Sequence, residues 1–464
     1  MDDLTRGWVP PHPEPGDPSR PFWLRLWRGF HCWFALLCRY DYELPLGSMR
    51  FLGRQFFVVN APQPVRRVMV DEVEAFPKHP YTSWTLQPLI GEAIFSVNGA
   101  QWQQQRRLVD QAFQLAQLQR AFPRMAEACA ASLARLAPLA DGRPVEIDQE
   151  MTLVTADVIV RTLTSAALSP HEAAPIFAAF AAYQQRAARA LVWRLLRWPK
   201  LLLEQGLLQA AAPIRAWMAA AVDRRLACAQ PPNDMLQALI EARDPASGAR
   251  FGHEALVDQL CFLFLAGHET SASSLGMAVY LLSCCPELQQ RLRQERQETL
   301  GGARRPLAYA DLRQLEWHAA VFNETLRLYP PVSFFIREAS RNTELGGQRC
   351  PMGALLTISP WLIQRHRDHW PDPDCFRPER FLSSAGDREQ RLARDAFLPY
   401  GLGPRKCPGA AFAQQEAVLV LAELLERFTV LPVPEHTPDL VGRLTLRSRN
   451  GIRVRLVPRF KTAR

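Results

Sequence analysis

The sequence predicts a mainly α-helical fold with a minor β portion, organised as one large domain over residues 1–464. Three observations lead there. From about residue 102 to 340, Ala- and Leu-rich segments repeat their apolar residues at helical spacing with few breakers. No Gly/Ser-rich linker separates two periodic blocks, and no repeat of a solenoid or propeller is present. With 48% hydrophobic residues, the chain can bury an ample core without staples.

In chain order, Met1–Pro21 is Pro-rich and expected to be loosely ordered. Residues 49–59 (MRFLGRQFFVV) read as two short strands turning at Gly53-Arg54. A long helix is expected from Glu254 to Cys285, ended by Pro286, and another from Asp311 to Leu328, ended by Pro330-Pro331. Short strands follow around Ser333–Glu338 and Leu355–Ile358, then a helix over Ala410–Phe428. The tail LTLRSRNGIRVRLV alternates like a hairpin turning at Asn450-Gly451.

Composition removes several functional classes. The net charge is +9, and only four of the 55 basic residues are lysine (Lys78, Lys200, Lys406, Lys461), so the excess is arginine. A solvated surface explains such an excess, as does an acidic protein partner. No RNP-type, zinc-finger or Gly-rich phosphate signature accompanies it, so no nucleic-acid partner is expected. The ten cysteines are scattered, without a CxxC pair, as expected of free thiols in a reducing compartment. MDDLTRGW is no signal peptide, and the longest uncharged run near the N-terminus, Gly29 to Cys38, is ten residues, too short to span a bilayer. A cytoplasmic monomer with no transmembrane span is expected. A membrane-surface role for Trp23, Trp27 and Trp33 is the alternative for that stretch.

Three constellations carry chemistry. Tyr400-Gly-Leu-Gly403-Pro-Arg405-Lys-Cys407-Pro-Gly409 sits just before a predicted helix. A thiolate there is stabilised by the helix dipole and by Arg405 and Lys406, and the flanking glycines let backbone N–H groups approach the sulfur. Gly403, Arg405, Cys407 and Gly409 at fixed spacing have roughly 0.003 expected chance matches in a chain of this composition. A structural cysteine in a Gly/Pro turn is the alternative.

Glu324-Thr-Leu-Arg327 places opposite charges three residues apart on one helical face, and Phe376-Arg-Pro-Glu-Arg380-Phe supplies a second arginine between aromatics. Finally, Ala266-Gly267-His-Glu269-Thr270-Ser271 puts polar residues inside the apolar long helix, where they are costly unless used. A local kink with satisfied polar groups is the alternative. His268 reads as a helix-surface residue rather than a metal ligand.

Together these motifs resemble the cytochrome P-450 superfamily, in the family's order from about residue 45 onward. The resemblance implies that family's fold, with haem b (iron protoporphyrin IX) between a long distal helix and a proximal Cys-loop helix. It implies Cys407 as the axial ligand to the haem iron, whose donation supports O–O cleavage. Glu324, Arg327 and Arg380 match the structural triad. Ala266, Gly267, Glu269 and Thr270 match the distal oxygen site, whose acid and alcohol relay protons.

Trp102-Gln-Gln-Gln-Arg106 resembles the helix whose Trp and Arg bind a haem propionate, and Arg337 and Arg405 resemble further propionate partners. Tyr400 stands where the family usually has Phe near the proximal sulfur, so its hydroxyl needs a partner. Phe262 shares a helical face with Ala266 and Thr270. Val332 and Phe334 alternate along an extended segment, and with Phe262 they are the expected wall of an apolar substrate pocket, an ordinary core position being the alternative for each phenylalanine. Phe76–Ile90 and Leu191–Leu207 are expected to line or cover that pocket.

The implied activity is monooxygenation, inserting one atom of O2 into an apolar small molecule by hydroxylation or epoxidation. No flavin or iron–sulfur module follows the last β segment, so electrons are expected from a separate donor, an acidic ferredoxin or flavodoxin with its reductase. The rival readings are a peroxygenase or rearranging haem-thiolate enzyme that does not use O2, and a haem-based sensor.

Overall fold

A computed structural model describes residues 5, 7–17, 19, 29, 32–51, 53–167, 170–195, 199–303, 305–442 and 445–460. At 81–82, 170–174, 188, 191–195 and 200–202 it describes backbone only. Trp23, Trp27 and Lys461 lie outside the described residues, as do most side chains of the Leu191–Leu207 segment.

The chain is mainly helical with several small sheets. It divides into two compact units, one of residues 1–76, 129–155 and 269–464, the other of 77–128 and 156–268. The sequence offered no sign of this division, for a physical reason. Three of the four crossings fall inside continuous helices: Leu115–Leu136, Ile147–Thr164 and His253–Ser283. No linker composition exists there to be read.

The first unit carries a four-stranded sheet ordered β1 (Leu46–Phe51), β2 (Arg54–Val59), β7 (Leu355–Ile358), β4 (Phe335–Glu338). β2 and β7 are parallel, whereas the other pairs are antiparallel. The β1–β2 turn places Gly53 at φ 79°. Alternate residues Phe57 and Val59 of β2 and Leu356 and Ile358 of β7 enter one core with Val65, Val68 and Met69. Three smaller sheets complete the unit, from β3 (Pro144–Glu146), β5 (Thr343–Leu345), β6 (Gln348–Cys350), β8 (Phe428–Pro432), β9 (Leu440–Gly442), β10 (Leu446–Ser448) and β11 (Arg453–Pro458).

Two sequence expectations need correction. The tail is not a hairpin: β10 pairs with β9, and β11 pairs with β8 and β3. A turn does form at Gly451, φ 74°, but the flanking strands leave for different sheets. Nor is the Pro-rich N-terminus loose over its described part. The Trp8 carbonyl accepts from the Phe376 amide at 3.0 Å, Gly16 N–H donates to the Leu37 carbonyl at 2.7 Å, and the Tyr329 hydroxyl donates to the Pro11 carbonyl at 2.8 Å.

The second unit is helical, built on Gly99–Ala112, Pro170–Leu195, Lys200–Leu226 and the first half of His253–Ser283. In it the Tyr183 hydroxyl donates to the Thr85 carbonyl at 2.7 Å, and Arg225 pairs with buried Asp234. None of the ten cysteines forms a disulfide. Among the described residues no helix is long and apolar enough to cross a membrane.

Candidate haem-thiolate site

The cysteine loop folds back on itself before the helix Ala410–Arg427. The Cys407 N–H donates to the Tyr400 carbonyl at 2.8 Å, and the Lys406 N–H donates to the Gly403 carbonyl at 3.0 Å. Gly403 is required twice over: its φ is 69°, and a Cβ there would lie 2.3 Å from the Met69 carbonyl oxygen. Gly409 caps the helix at φ −84°, so no left-handed conformation demands a glycine at that position.

Cys407 is exposed, and among the ten cysteines only Cys228, outside any Gly-Arg loop, is exposed as well. A thiol displayed at the start of a helix beside two cations is well placed to act as a metal-ligating thiolate. Among the described residues no group of three or more His, Cys, Asp or Glu could hold a metal ion.

The Tyr400 hydroxyl is buried and has no hydrogen-bond partner among the described residues. Burial, and then the neighbouring Cys407 and Glu416, push its ionisation well above the ordinary tyrosine value. Among the described residues the Tyr400 hydroxyl is thus an unsatisfied polar atom beside the cysteine loop, at a cost of about 1–3 kcal/mol.

Arg337 and Arg405 lie near one another within the same unit. Arg337 is buried on β4, and its Nη1 donates to the Ile336 carbonyl at 3.1 Å while its Nε has no partner among the described residues. Burial, and then the adjacent Arg405 cation, lower the Arg337 pKa to about 10. Two guanidiniums side by side, one of them buried with an unused donor, fit a ligand bearing carboxylates. In the helical unit, Trp102 and Arg106 lie one turn apart on Gly99–Ala112. Trp102 is buried, and the Arg106 Nε pairs with Asp110 at 2.8 Å.

The central helix His253–Ser283 is the most informative element. From Leu256 to Ser283 every residue is buried except Phe262, Ala266, Gly267 and Thr270. Phe262, Ala266 and Thr270 share an arc of about 80° at the helical period. Between Leu256 and Ser283 the helix therefore keeps one accessible stripe, and Ala266, Gly267 and Thr270 of the Ala-Gly-His-Glu-Thr segment fall on it while Glu269 does not. Gly267 admits a neighbour: a Cβ there would lie 2.9 Å from the side chain of Ile159.

Glu269 is only 4% exposed and turned to other partners. The Thr445 hydroxyl donates to its carboxylate at 2.8 Å, and Arg447 Nη2 lies 3.3 Å away. Sequence reasoning missed both residues, since nothing in the sequence links them to a glutamate about 175 positions upstream. His268 corrects a further expectation. It is 3% exposed, bonded through Nδ1 to the Phe264 carbonyl at 2.7 Å and enclosed by the rings of Phe180 and Phe264 at 5.4 and 4.6 Å.

The three expected pocket residues are half-buried. Phe262 stacks on Phe95 at 5.7 Å, and Phe334 meets Trp33 edge-on at 5.2 Å. Of the segment expected to cover the pocket, Phe76, Leu89 and Ile90 are fully buried.

Glu324 and Arg327, on the helix Glu316–Leu328, form an ion pair at 2.6 Å with both side chains 0% exposed. The Glu324 carboxylate also accepts from the Arg377 amide at 2.8 Å, and Arg380 Nε approaches it to 3.5 Å. Arg327 donates onward to the carbonyls of Gln364, Pro373 and Cys375 at 2.8, 2.6 and 2.9 Å. One buried pair thereby ties together the irregular segment that precedes the cysteine loop.

Comparison with known proteins follows the same lines. The family model "Cytochrome P-450" matches residues 22–452. The chain is 32% identical to cyclooctatin synthase of Streptomyces melanosporofaciens over 392 residues, 84% of this chain and 83% of that protein. It is 37% identical to cyclooctat-9-en-7-ol 5-monooxygenase of the same organism over 204 residues, 44% of this chain and 43% of that one. Pentalenene oxygenase of Streptomyces avermitilis is 36% identical over 227 residues, 49% of each chain. With its cysteine loop, its buried arginines and its near full-length match, this chain belongs to the cytochrome P-450 family of haem-dependent monooxygenases.

Proposed function

We propose that this protein inserts one oxygen atom from O2 into a largely apolar, cyclic and unsaturated small molecule of the terpene class. The observation that carries the reading is the stripe Phe262–Ala266–Gly267–Thr270, the one accessible face of the otherwise buried helical stretch Leu256–Ser283, with Glu269 beside it. It is apolar apart from one hydroxyl, which favours a hydrocarbon substrate with few polar anchors. The names of the relatives, cyclooctatin synthase, cyclooctat-9-en-7-ol 5-monooxygenase and pentalenene oxygenase, favour cyclic unsaturated substrates.

Cys407 is the residue proposed to ligate the iron of haem b. Arg337 and Arg405 would take its carboxylates, and resemblance assigns Trp102 and Arg106 to the same cofactor. When bound, haem supplies the reductive activation of O2 and the oxygen transfer. The chain's part is to hold the substrate, exclude water and deliver protons. Thr270 presents a hydroxyl on the open stripe, and Glu269, one position earlier, is the proposed acid behind it. Each turnover takes O2, two electrons and two protons and yields oxygenated product and water.

The electron donor is proposed to be an acidic ferredoxin or flavodoxin meeting a basic face that includes exposed Lys406. Turnover with a surrogate acidic ferredoxin, its reductase and cyclic terpene olefins under ¹⁸O2 tests the reading. One ¹⁸O per product is expected. Product formed only from added peroxide, or labelled only from water, would overturn it.

A further inference from the structure

Glu269 poses an energetic problem that its own helix does not solve. A carboxylate buried in the middle of an apolar helix is costly unless it is paired and hydrogen-bonded. Its partners come from the segment Thr445–Arg447 at the start of β10. The Thr445 hydroxyl donates at 2.8 Å and Arg447 Nη2 lies at 3.3 Å.

That segment is fixed independently of the glutamate. The Ser273 hydroxyl, one helical turn after Glu269, donates to the Leu446 carbonyl at 2.6 Å. The Leu446 amide donates to the Pro331 carbonyl at 2.9 Å, and β10 is paired along β9. Glu269 and Ser273 share a helical face about 6 Å apart, while Thr445, in the bend just before β10, and Arg447, on β10, flank the anchored Leu446. The segment therefore meets the helix through two side chains flanking one anchored main-chain unit. The Arg447 side chain is 30% exposed while that of Glu269 is 5% exposed, so the guanidinium reaches from solvent to the buried acid.

We propose that Thr445 and Arg447 are positioning residues for Glu269, making the β9–β10 segment part of the proton-delivery apparatus. The inference rests on the proposed relay role of Glu269. Thr445 sets the carboxylate's orientation, and Arg447 holds its charge and connects it to water. Neither touches the reacting atoms. Their loss leaves the acid misdirected, and reducing equivalents then leave as hydrogen peroxide instead of product.

The test uses the full-length haem-loaded protein with its electron donor and two readouts. In the first, product formed per electron pair should fall by about tenfold in Arg447→Gln and in Thr445→Val, with substrate affinity unchanged. Arg447→Lys and Thr445→Ser should restore most of it, a rescue that a merely structural role does not predict. The second readout is the thermal midpoint in the cycle Glu269→Gln, Arg447→Gln and the double variant, where the double should lose less than the sum of the singles. Additive midpoints would overturn the pairing. Wild-type yield per electron in Arg447→Gln and Thr445→Val, alongside a low yield in Glu269→Gln, would overturn the positioning role while leaving the relay intact. Wild-type yield in Glu269→Gln itself would overturn the relay reading and this inference with it.

Discussion

Removing the Glu324 side chain should cost this protein a large share of its stability. The carboxylate is 0% exposed and holds Arg327 Nε at 2.6 Å, Arg327 Nη2 at 2.8 Å and the Arg377 amide at 2.8 Å. Arg380 stands at 3.5 Å, also buried, its own pKa lowered by burial and supported by Glu324. In Glu324→Ala two buried cations lose their common anion. Breaking such a pair from one side costs about 3–5 kcal/mol. The Arg377 amide, left without its acceptor, adds about 1–3 kcal/mol. Typical net stabilities are about 5–15 kcal/mol, so the loss is a large share of the whole.

A large protein with a bound cofactor does not unfold as a two-state system, so the assay is not a single free energy. It is soluble yield, haem-to-protein ratio and the half-life at elevated temperature. Glu324→Ala should give little soluble haem protein, and Glu324→Gln, which keeps an acceptor oxygen but no charge, should be intermediate. A well-folded, fully haem-loaded Glu324→Ala protein with wild-type heat resistance would refute the reasoning.

Other outcomes follow from the same geometry. Thr270→Ala should leave haem spectra and substrate affinity intact while diverting electrons to hydrogen peroxide. If yield per electron stays unchanged, an ordered water does this work, because Ser271 faces buried Glu416 instead. Phe334→Ala should shift the position of oxidation on a given substrate with folding preserved. An unchanged product distribution with a loss of about 3–5 kcal/mol would make Phe334 a core partner of Trp33. Burial raises the Glu416 pKa from its ordinary 4.5 to about 8, offset by the Ser271 hydroxyl. A carboxyl raised on folding contributes stability fully present below pH 4.5 and lost as pH rises through about 8. Heat resistance should therefore decline across that window in the wild type and less so in Glu416→Gln.

What the sequence revealed was local chemistry. The cysteine loop could be read because glycine, arginine and cysteine act on one another within nine residues. The central helix could be read because an apolar run ends at Pro286, and its observed limits, His253 and Ser283, lie within two residues of the expected ones. What depended on distant partners was hidden. β10 and β11 alternate as a hairpin would, yet β11 pairs with β3 some 300 residues earlier, a choice that strand periodicity does not encode. His268 looked like a surface residue because its polarity was visible and the rings of Phe177 and Phe180 around it were not. Glu269 was recognised as an acid in an apolar helix, but its partners on β10 emerge only once the chain has folded.

The most direct test of the account is the absorption spectrum of the reduced protein under carbon monoxide. With Cys407 bound as thiolate, the Soret band should move strongly to the red, as for a carbonyl opposite a thiolate. Cys407→Ser should abolish that band even where haem is retained, and Cys228→Ser, the change at the other exposed cysteine, should keep it. A red-shifted band that persists in Cys407→Ser would contradict the central assignment and give the iron to another ligand.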